Sequence, residues 1–339
     1  MNILVTGGAG YIGSHTCLEL LKEGHQVVIL DNLSNSSIDS VHNVAKYCDC
    51  EIPFYEGDIA DSNLINKIFE NHKIDACIHF AAFKSVNESV RFPEKYFKNN
   101  VEGTLSLLKS LDENGCRNIV FSSTAAVYGD PEVFPIREEF EVGKGKSPYA
   151  ETKYQVECIL KDLAKNDNRW HIIILRYFNP LGAHPSGIIG EKLDNSPDNL
   201  MPYITKVAAK ESEFLRIFGN DYDTCDGTGI RDYIHVVDLA RGHISALNNI
   251  EQNAGVQVFN LGTGNGFSVL EVVNTFIKVN NVDVPYVICD RREGDIAISY
   301  CSTEKAERLL NWKATLTLED MCRDAWTWQQ SWKAKHMKQ

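Results

Sequence analysis

The sequence predicts an α/β protein, a doubly wound parallel sheet followed by a smaller C-terminal α/β lobe. Three observations predict it. Short, wholly apolar runs recur through the first half of the chain. Helix-period stretches separate them. After residue 178 the rhythm gives way to glycine- and proline-rich segments. Continuous apolar runs rich in β-branched residues suit parallel strands buried on both faces. Strands alternating with helices build right-handed crossover units, and these stack into one sheet.

The first run is Ile3-Leu4-Val5, and a helix over about 12–23 follows it. The second is Val27-Val28-Ile29-Leu30. A weaker run from Ile52 to Tyr55 precedes a helix over 61–71. Cys77-Ile78-His79-Phe80 leads to a helix over 94–114, and Ile119-Val120-Phe121 leads to one over 148–165. Ile172-Ile173-Ile174-Leu175 is the sixth run. Residues 1–179 thus form the first domain and 180–339 the second lobe, with some later segments free to return to the first sheet. Residues 179–200 hold Pro180, Gly182, Pro185, Gly187, Gly190 and Pro197 and read as a long irregular stretch. Stretches of that length inside compact proteins are usually functional or disordered. Residues 219–230 are a second one. Helical spacing resumes at Val236–Asn249 and Ser268–Val279, and Glu304–Trp332 reads as two helices.

Composition narrows the partners. The chain has 339 residues, enough for about two domains. It carries 46 acidic against 34 basic residues, net charge −12, with no long Lys/Arg cluster, so nucleic acid is not an expected partner. An anionic ligand must be held locally, by a few placed arginines and by backbone N–H groups. No apolar run reaches the ~18 to 20 residues of a membrane helix. Glycines follow Met1 to Thr6 directly, with no basic leader, so a cytoplasmic location is expected. Ten cysteines without a C-x-x-C pair read as free thiols; Cys48 and Cys50 lie closest in sequence. No metal site is expected.

Gly7-Gly8-Ala9-Gly10-Tyr11-Ile12-Gly13 follows the first strand and opens the first helix. Glycines there permit a tight turn and close approach of a pyrophosphate, which the helix N-terminus then attracts. Asp31, at the end of the second strand and 18 residues past Gly13, has the position of a ribose-binding acid. Its charge would repel a 2′-phosphate, which favours NAD over NADP. The context makes this a Rossmann-type dinucleotide site. Asn32, Asn35 and Ser36 are placed to finish the adenosine-ribose pocket. Asp58 and Ile59, after the third strand, fall beside the adenine. Phe80 and Ala81 end the fourth strand, and Lys84 is within reach of a phosphate or ribose.

The fifth strand runs into Ser122-Ser123-Thr124, whose hydroxyls are expected to face the nicotinamide side. Ser147-Pro148-Tyr149-Ala150-Glu151-Thr152-Lys153 then sets Tyr149 and Lys153 one turn apart on one helix face. A phenol titrates near ~10, too high for a base at neutral pH. A nearby ammonium and the positive ring of NAD⁺ would favour the phenolate. The pair then forms a general base able to take a hydroxyl proton as hydride leaves the same carbon.

These motifs, with Phe121-Ser122-Ser123-Thr124-Ala125-Ala126-Val127-Tyr128-Gly129, Leu175-Arg176-Tyr177-Phe178-Asn179, Gly182-Ala183-His184-Pro185-Ser186-Gly187, Asp226-Gly227-Thr228-Gly229-Ile230-Arg231-Asp232-Tyr233-Ile234-His235-Val236 and Arg291-Arg292-Glu293-Gly294-Asp295, span nearly the whole chain. The sequence resembles the extended short-chain dehydrogenases/reductases and, among them, the UDP-galactose (UDP-glucose) 4-epimerases. The resemblance implies that Tyr149 removes the sugar O4 proton while hydride passes from C4 to tightly held NAD. Thr124 would bind the same oxygen, and Lys153 the nicotinamide ribose. The 4-keto sugar would then turn over and be reduced on its other face. Tyr11, Ile12, Asn99 and Phe178 join the cofactor contacts on the same grounds. Asn179, Asn199, Leu200, Ile217, Phe218, Arg231, Arg292 and Asp295 match nucleotide-sugar contacts, with Phe218 and Tyr233 expected to flank the uracil. Surface salt bridges to Asp232 or Glu293 are the alternative role for the two arginines.

Ser299 falls at a pocket-wall position that is a tyrosine in epimerases restricted to glucose and galactose. A small residue there implies acceptance of the UDP-N-acetylglucosamine and UDP-N-acetylgalactosamine pair, unless the register slips and Tyr300 fills the space. The resemblance also implies a homodimer through the helices near 94–114 and 148–165. A dehydratase of the same fold is the nearest rival, but Ala125 and Ala126 stand where elimination needs carboxylates. A simple dehydrogenase and a non-catalytic NAD-binding regulator are more distant alternatives.

Overall fold

The computed structural model describes residues 1–191, 199–252, 255–292 and 294–336. Pro197, in the expected irregular stretch, and Glu293, the alternative partner of the arginines, lie outside them. Six strands match the six apolar runs: β1 (Asn2–Thr6), β2 (Gln26–Asp31), β3 (Phe54–Glu56), β4 (Ala76–His79), β5 (Asn118–Thr124) and β6 (His171–Tyr177). A seventh, Gly255–Leu261, comes from the later half and pairs with β6. The order across the sheet is Gly255–Leu261, β6, β5, β4, β1, β2, β3, all parallel. The chain leaves β1 toward β2 on one side and returns to β4 on the other. Strand order therefore reverses between β1 and β4, and the crevice at their carboxyl ends is where such sheets bind ligands.

Period-two alternation decides which side chain faces which layer. Ile3 and Val5 point into one core with Ile29, Ile78 and Leu175, beneath the helices Tyr11–Lys22 and Val236–Asn248. Leu4 points the other way, with Val28, Leu30 and Ile119, beneath Ser62–Asn71, Gly103–Glu113 and Pro148–Asn166. The helix Val236–Asn248, the strand Gly255–Leu261 and the helix Glu304–Leu310 return to the first sheet. The expected helix over 94–114 is broken in the structure. It consists of Pro93–Tyr96, a π-helical turn Phe97–Glu102 and the helix Gly103–Glu113. Asn100 sits in that turn and exchanges hydrogen bonds with the backbone of Phe83, at 2.9 Å from its N–H and 3.0 Å to its carbonyl. The turn is tied to the loop after β4 through this residue.

The second lobe has its own core, built from Leu181, Met201, Ile204, Phe276 and Met321 among others. Its strands are short. Asn179–Leu181 pairs with Tyr233–His235, and Leu215–Phe218 pairs with Tyr286–Cys289. Ile230–Arg231 lies between Phe267–Ser268 and Ile298–Ser299. The helices Leu200–Ala208, Val269–Asn280 and Leu318–His336 cover them. All ten cysteines are free. Among the described residues there is no metal-binding cluster and no helix long and apolar enough to cross a membrane.

Candidate active site

The glycine turn is shaped by its own packing. Gly7 adopts φ +71°, and a Cβ on it would lie 2.7 Å from the Ala81 nitrogen after β4. A Cβ on Gly13 would lie 2.2 Å from the Gly7 carbonyl oxygen. These two glycines let β1, β4 and the first helix converge. Gly10, the N-cap of that helix, has no side chain to cap it. The first-turn N–H groups of Tyr11, Ile12 and Gly13 are therefore left to a ligand at the positive end of the helix dipole.

Asp31 is buried at the end of β2. One carboxylate oxygen accepts from the Leu33 N–H at 2.9 Å and the Ser36 hydroxyl at 2.8 Å; the other accepts from the Ala9 N–H at 3.0 Å. The acid is fixed beside the glycine turn before any ribose arrives. Asn32 donates to Asp58 at 3.1 Å, and Asp58 also accepts from the Ala60 N–H at 2.9 Å. Asp58 therefore links two loops at one rim as well as turning the chain. Asn35 is exposed on that rim and Ile59 is buried below it. Tyr11 donates to the Gly182 carbonyl at 2.6 Å, so the helix start is tied to the second lobe. Asn99 donates to Asn100 at 2.9 Å inside the π-turn. Phe178 is buried between β6 and Asn179. A pinned acid, an uncapped helix start and a glycine floor fit a dinucleotide, and among such ligands one without a 2′-phosphate.

The residues expected to be catalytic meet at the end of β5. The Thr124 hydroxyl hydrogen-bonds the Tyr149 phenol and also accepts from the Ala126 N–H at 3.2 Å. Lys153 is almost fully buried; its ammonium donates to the Ser122 carbonyl at 2.7 Å and sits 4.9 Å from the centre of the Phe121 ring. One expectation needs correction. Ser123 does not face the crevice. Alternation along β5 turns it to the opposite side, where its hydroxyl donates to Glu157 at 2.6 Å. At Tyr149 the protein's own groups act in opposite directions. Burial raises the phenol above its ordinary value, outweighing the Thr124 hydrogen bond and the charge of Lys84, which pull it down. Burial likewise pushes Lys153 down to about 7, with Glu157 opposing the shift. Lys84 pairs with Glu191 at 2.9 Å across the crevice, and Asn199 donates to the same Glu191 oxygen at 2.6 Å.

In the second lobe Arg231 and Ser299 are partners in parallel register on adjacent strands. They therefore point to the same face. Ser299 is buried, and Tyr300 turns away to stack on Phe134 with ring centres 5.6 Å apart. Ser299, not Tyr300, is therefore the residue beside Arg231 on that face. Arg292 lies 4.1 Å over the Phe218 ring. Arg231 reaches Asp295 at a loose 3.9 Å. Tyr233 and Ile217 are buried in the lobe's core, behind Phe218, and Leu200 packs against that core. Asn179 is exposed at the lobe junction.

Asp232 is not a surface partner of Arg231. It is fully buried, and its carboxylate accepts from the N–H groups of Thr263 at 2.7 Å, Gly264 at 3.0 Å and Cys301 at 3.3 Å, and from the Thr263 hydroxyl at 2.8 Å. It gathers three segments behind Arg231 and Ser299. The sequence reading missed this hub because the donors are backbone groups distant in sequence. It also missed Glu191 and Glu157. Glu157 was findable in principle, since it continues the Tyr149, Lys153 spacing by four residues.

Comparison with known proteins agrees with this geometry. A UDP-glucose 4-epimerase of Bacillus subtilis is 52% identical over 331 residues, 98% of this chain and 97% of that protein. The crystal structure of a UDP-glucose 4-epimerase from Stenotrophomonas maltophila with bound NAD and formylated UDP-arabinopyranose matches with TM-score 0.97 and 46% identity, covering 99% of each chain. The UDP-Glc/GlcNAc 4-epimerase of Campylobacter jejuni matches with TM-score 0.84 and 37% identity, over 97% of this chain and 99% of that one. The family described as NAD dependent epimerase/dehydratase matches residues 3–262, which hold the glycine turn, Asp31, Thr124, Tyr149, Lys153 and Arg231. On that match, and on the arrangement of those residues about one crevice, the chain belongs to the NAD dependent epimerase/dehydratase family.

Proposed function

We propose that this protein interconverts UDP-glucose and UDP-galactose by NAD-dependent 4-epimerisation. One observation carries the reading: a Tyr149 phenol hydrogen-bonded to Thr124 at the end of β5, on the crevice that the glycine turn and Asp31 prepare for a dinucleotide. Bound NAD supplies a reversible hydride acceptor for the sugar C4. Tyr149 takes the O4 proton and later returns it, and Thr124 steadies the same oxygen in both directions. Lys153 holds the nicotinamide ribose, and its charge, with that of the oxidised ring, counters the burial that raises the phenol. Arg231 and Arg292 hold the UDP pyrophosphate in forked contacts, and Phe218 stacks on the uracil. Asn179, Asn199 and Asp295 complete the rim. The sugar turns about its pyrophosphate link, so one tyrosine serves both faces. Because the cofactor is regenerated, incubation with UDP-galactose and no added NAD yields UDP-glucose by NMR, with no net change at 340 nm. Net consumption of NAD by a single sugar nucleotide would mark a dehydrogenase instead. Loss of water from the sugar would mark a dehydratase; Ala125 and Ala126 leave that chemistry without carboxylates next to Thr124.

The buried Ser299 beside Arg231 supports a second substrate pair, UDP-N-acetylglucosamine and UDP-N-acetylgalactosamine. A hydroxymethyl group there leaves room beside the sugar C2 for an acetamido group. Ser299→Tyr abolishes the N-acetyl reaction and largely spares the other, since a wall excludes by bulk. Wild-type protein inert to millimolar UDP-N-acetylglucosamine overturns this reading. The family resemblance, with exposed Val86, Val90, Phe92 and Leu105 on the helices beside Pro148–Asn166, supports a homodimer. Light scattering measures it directly. Acidic charge argues against nucleic acid, and a cytoplasmic location fits the substrates.

A further inference from the structure

A second buried polar system lies directly behind the catalytic residues. Tyr149, Lys153 and Glu157 stand at i, i+4 and i+8 on the helix Pro148–Asn166, so all three face the sheet. Glu157 is fully buried. One of its oxygens accepts from the Ser123 hydroxyl at 2.6 Å and from Arg176 Nε at 2.9 Å; the other accepts from Arg176 Nη2 at 2.6 Å and from Lys161 at 3.3 Å. Arg176, on β6, is only 2% exposed. Its Nη1 donates to the Tyr128 hydroxyl at 2.9 Å, which in turn donates to Asn260 on the seventh strand at 2.7 Å. Every member has partners, and the chain of bonds runs from the catalytic helix across β5 and β6 to the sheet edge.

Stability does not by itself account for such a system. A buried ion pair gains back little more than its desolvation, and apolar replacements of similar shape are often as stable. What distinguishes this one is its point of attachment. Ser123 lies between Ser122, whose carbonyl receives the Lys153 ammonium, and Thr124, whose hydroxyl binds the Tyr149 phenol. Strand alternation gives Ser123 to the far side, so the residue between the two catalytic anchors is itself anchored from behind. The anchor is the same helix that presents Tyr149 and Lys153.

We propose that Glu157 is a positioning residue for the epimerisation: through Ser123 and Arg176 it locks the end of β5 to the catalytic helix. The inference rests on the function proposed above. Burial alone favours the neutral amine at Lys153, and Glu157 is the neighbouring charge that opposes this. The other groups about Lys153 do not replace it. His79 on β4 is held neutral by burial, the Phe121 ring and the Ser122 carbonyl are uncharged, Tyr177 on β6 is a neutral phenol, and Arg176 is positive.

The test uses purified full-length protein carrying its own cofactor, with UDP-galactose as substrate. Wild-type turnover comes first: no UDP-glucose from the wild-type enzyme defeats the epimerase reading itself, whatever the variants do. Given wild-type activity, Glu157→Gln lowers kcat on the order of 10²-fold, the scale of a small misplacement of reacting groups, while KM for UDP-galactose stays within about twofold. The alkaline limb of its kcat–pH profile shifts to lower pH, because Lys153 loses its proton more readily. Ser123→Ala keeps the ion pair and so keeps the fold. It lowers kcat on the order of tenfold with the alkaline limb unmoved, since the link to β5 is cut but the charge remains. That variant decides the question if Glu157→Gln does not fold. Wild-type kcat in Ser123→Ala overturns the positioning role. A Glu157→Gln enzyme with wild-type kcat and pH profile, altered only in melting temperature, reduces Glu157 to a structural residue and overturns the proposal.

Discussion

The two halves of the site are built differently. The cofactor half stands on the carboxyl ends of strands in one seven-stranded parallel sheet, where each residue inherits its direction from the strand it terminates and from its paired neighbours. Asp31, Phe80 and Thr124 are placed in this way, at the ends of β2, β4 and β5. The sugar half rests on strands of two to four residues in separate two- and three-stranded pieces, so no broad sheet fixes their directions. Arg231 and Ser299 lie side by side because their two short strands pair, and Asp232 collects the N–H groups of Thr263, Gly264 and Cys301 behind them. The first half is thus oriented by a broad sheet, the second by short strand pairs gathered from behind by one buried carboxylate. Damage in the second half should accordingly concentrate at a single residue that touches no ligand.

The largest expected effect lies on the cofactor side and leaves the fold alone. Tyr149→Phe keeps the ring, retains NAD and UDP-sugar binding, and loses about 10²–10⁴ in kcat, or about 3 to 5 kcal/mol of barrier. Wild-type turnover in that variant would mean the proton leaves by another route. Asp232→Asn tests the hub. An amide cannot accept on both sides as the carboxylate does, and each charge-assisted bond lost costs about 1.5–3 kcal/mol. KM for UDP-galactose should rise about tenfold or more and the melting temperature fall, with NAD content after dialysis unchanged. Equal loss of NAD and sugar binding would erase the contrast between the halves.

Asp31→Ala is the mirror experiment. It removes the ribose acceptor and its repulsion of a 2′-phosphate, so NAD retention falls and discrimination against NADP relaxes. The sugar side should be untouched once NAD is saturating; full cofactor content after dialysis counts against the role. A last prediction concerns acid stability and leaves both halves of the site untouched. His79 is buried between Thr6 and Thr104, at 2.7 and 2.9 Å, and burial holds it down to about 3. Below its ordinary value near 6.5 the unfolded chain takes a proton that the folded chain refuses. Stability due to this group is therefore present at neutral pH and lost as pH falls from about 6.5 toward 3, by at most about 1.4 kcal/mol per pH unit. His79→Gln should flatten the fall of melting temperature over that range, and an unchanged slope would assign the loss to other groups.

The fold and the cofactor half were legible because their causes are local. Apolar runs name parallel strands, a glycine turn names the strand-to-helix corner, and four-residue spacing puts Tyr149 and Lys153 on one face. Each of these follows from backbone geometry within a few residues. The direction of Ser123 was also available from period two, yet a cluster of hydroxyls drew all three toward the crevice. Tertiary structure alone decided the rest. It returned Gly255–Leu261 to the first sheet, turned Asp232 inward onto donors some thirty and seventy residues away, and set Ser299 rather than Tyr300 beside Arg231. It also set burial against the charges that favour the Tyr149 phenolate, because the desolvation of a phenol depends on what packs around it. Sequence determines what a residue can do chemically and which way a regular element turns it; pairing between distant segments and burial decide its neighbours and its charge.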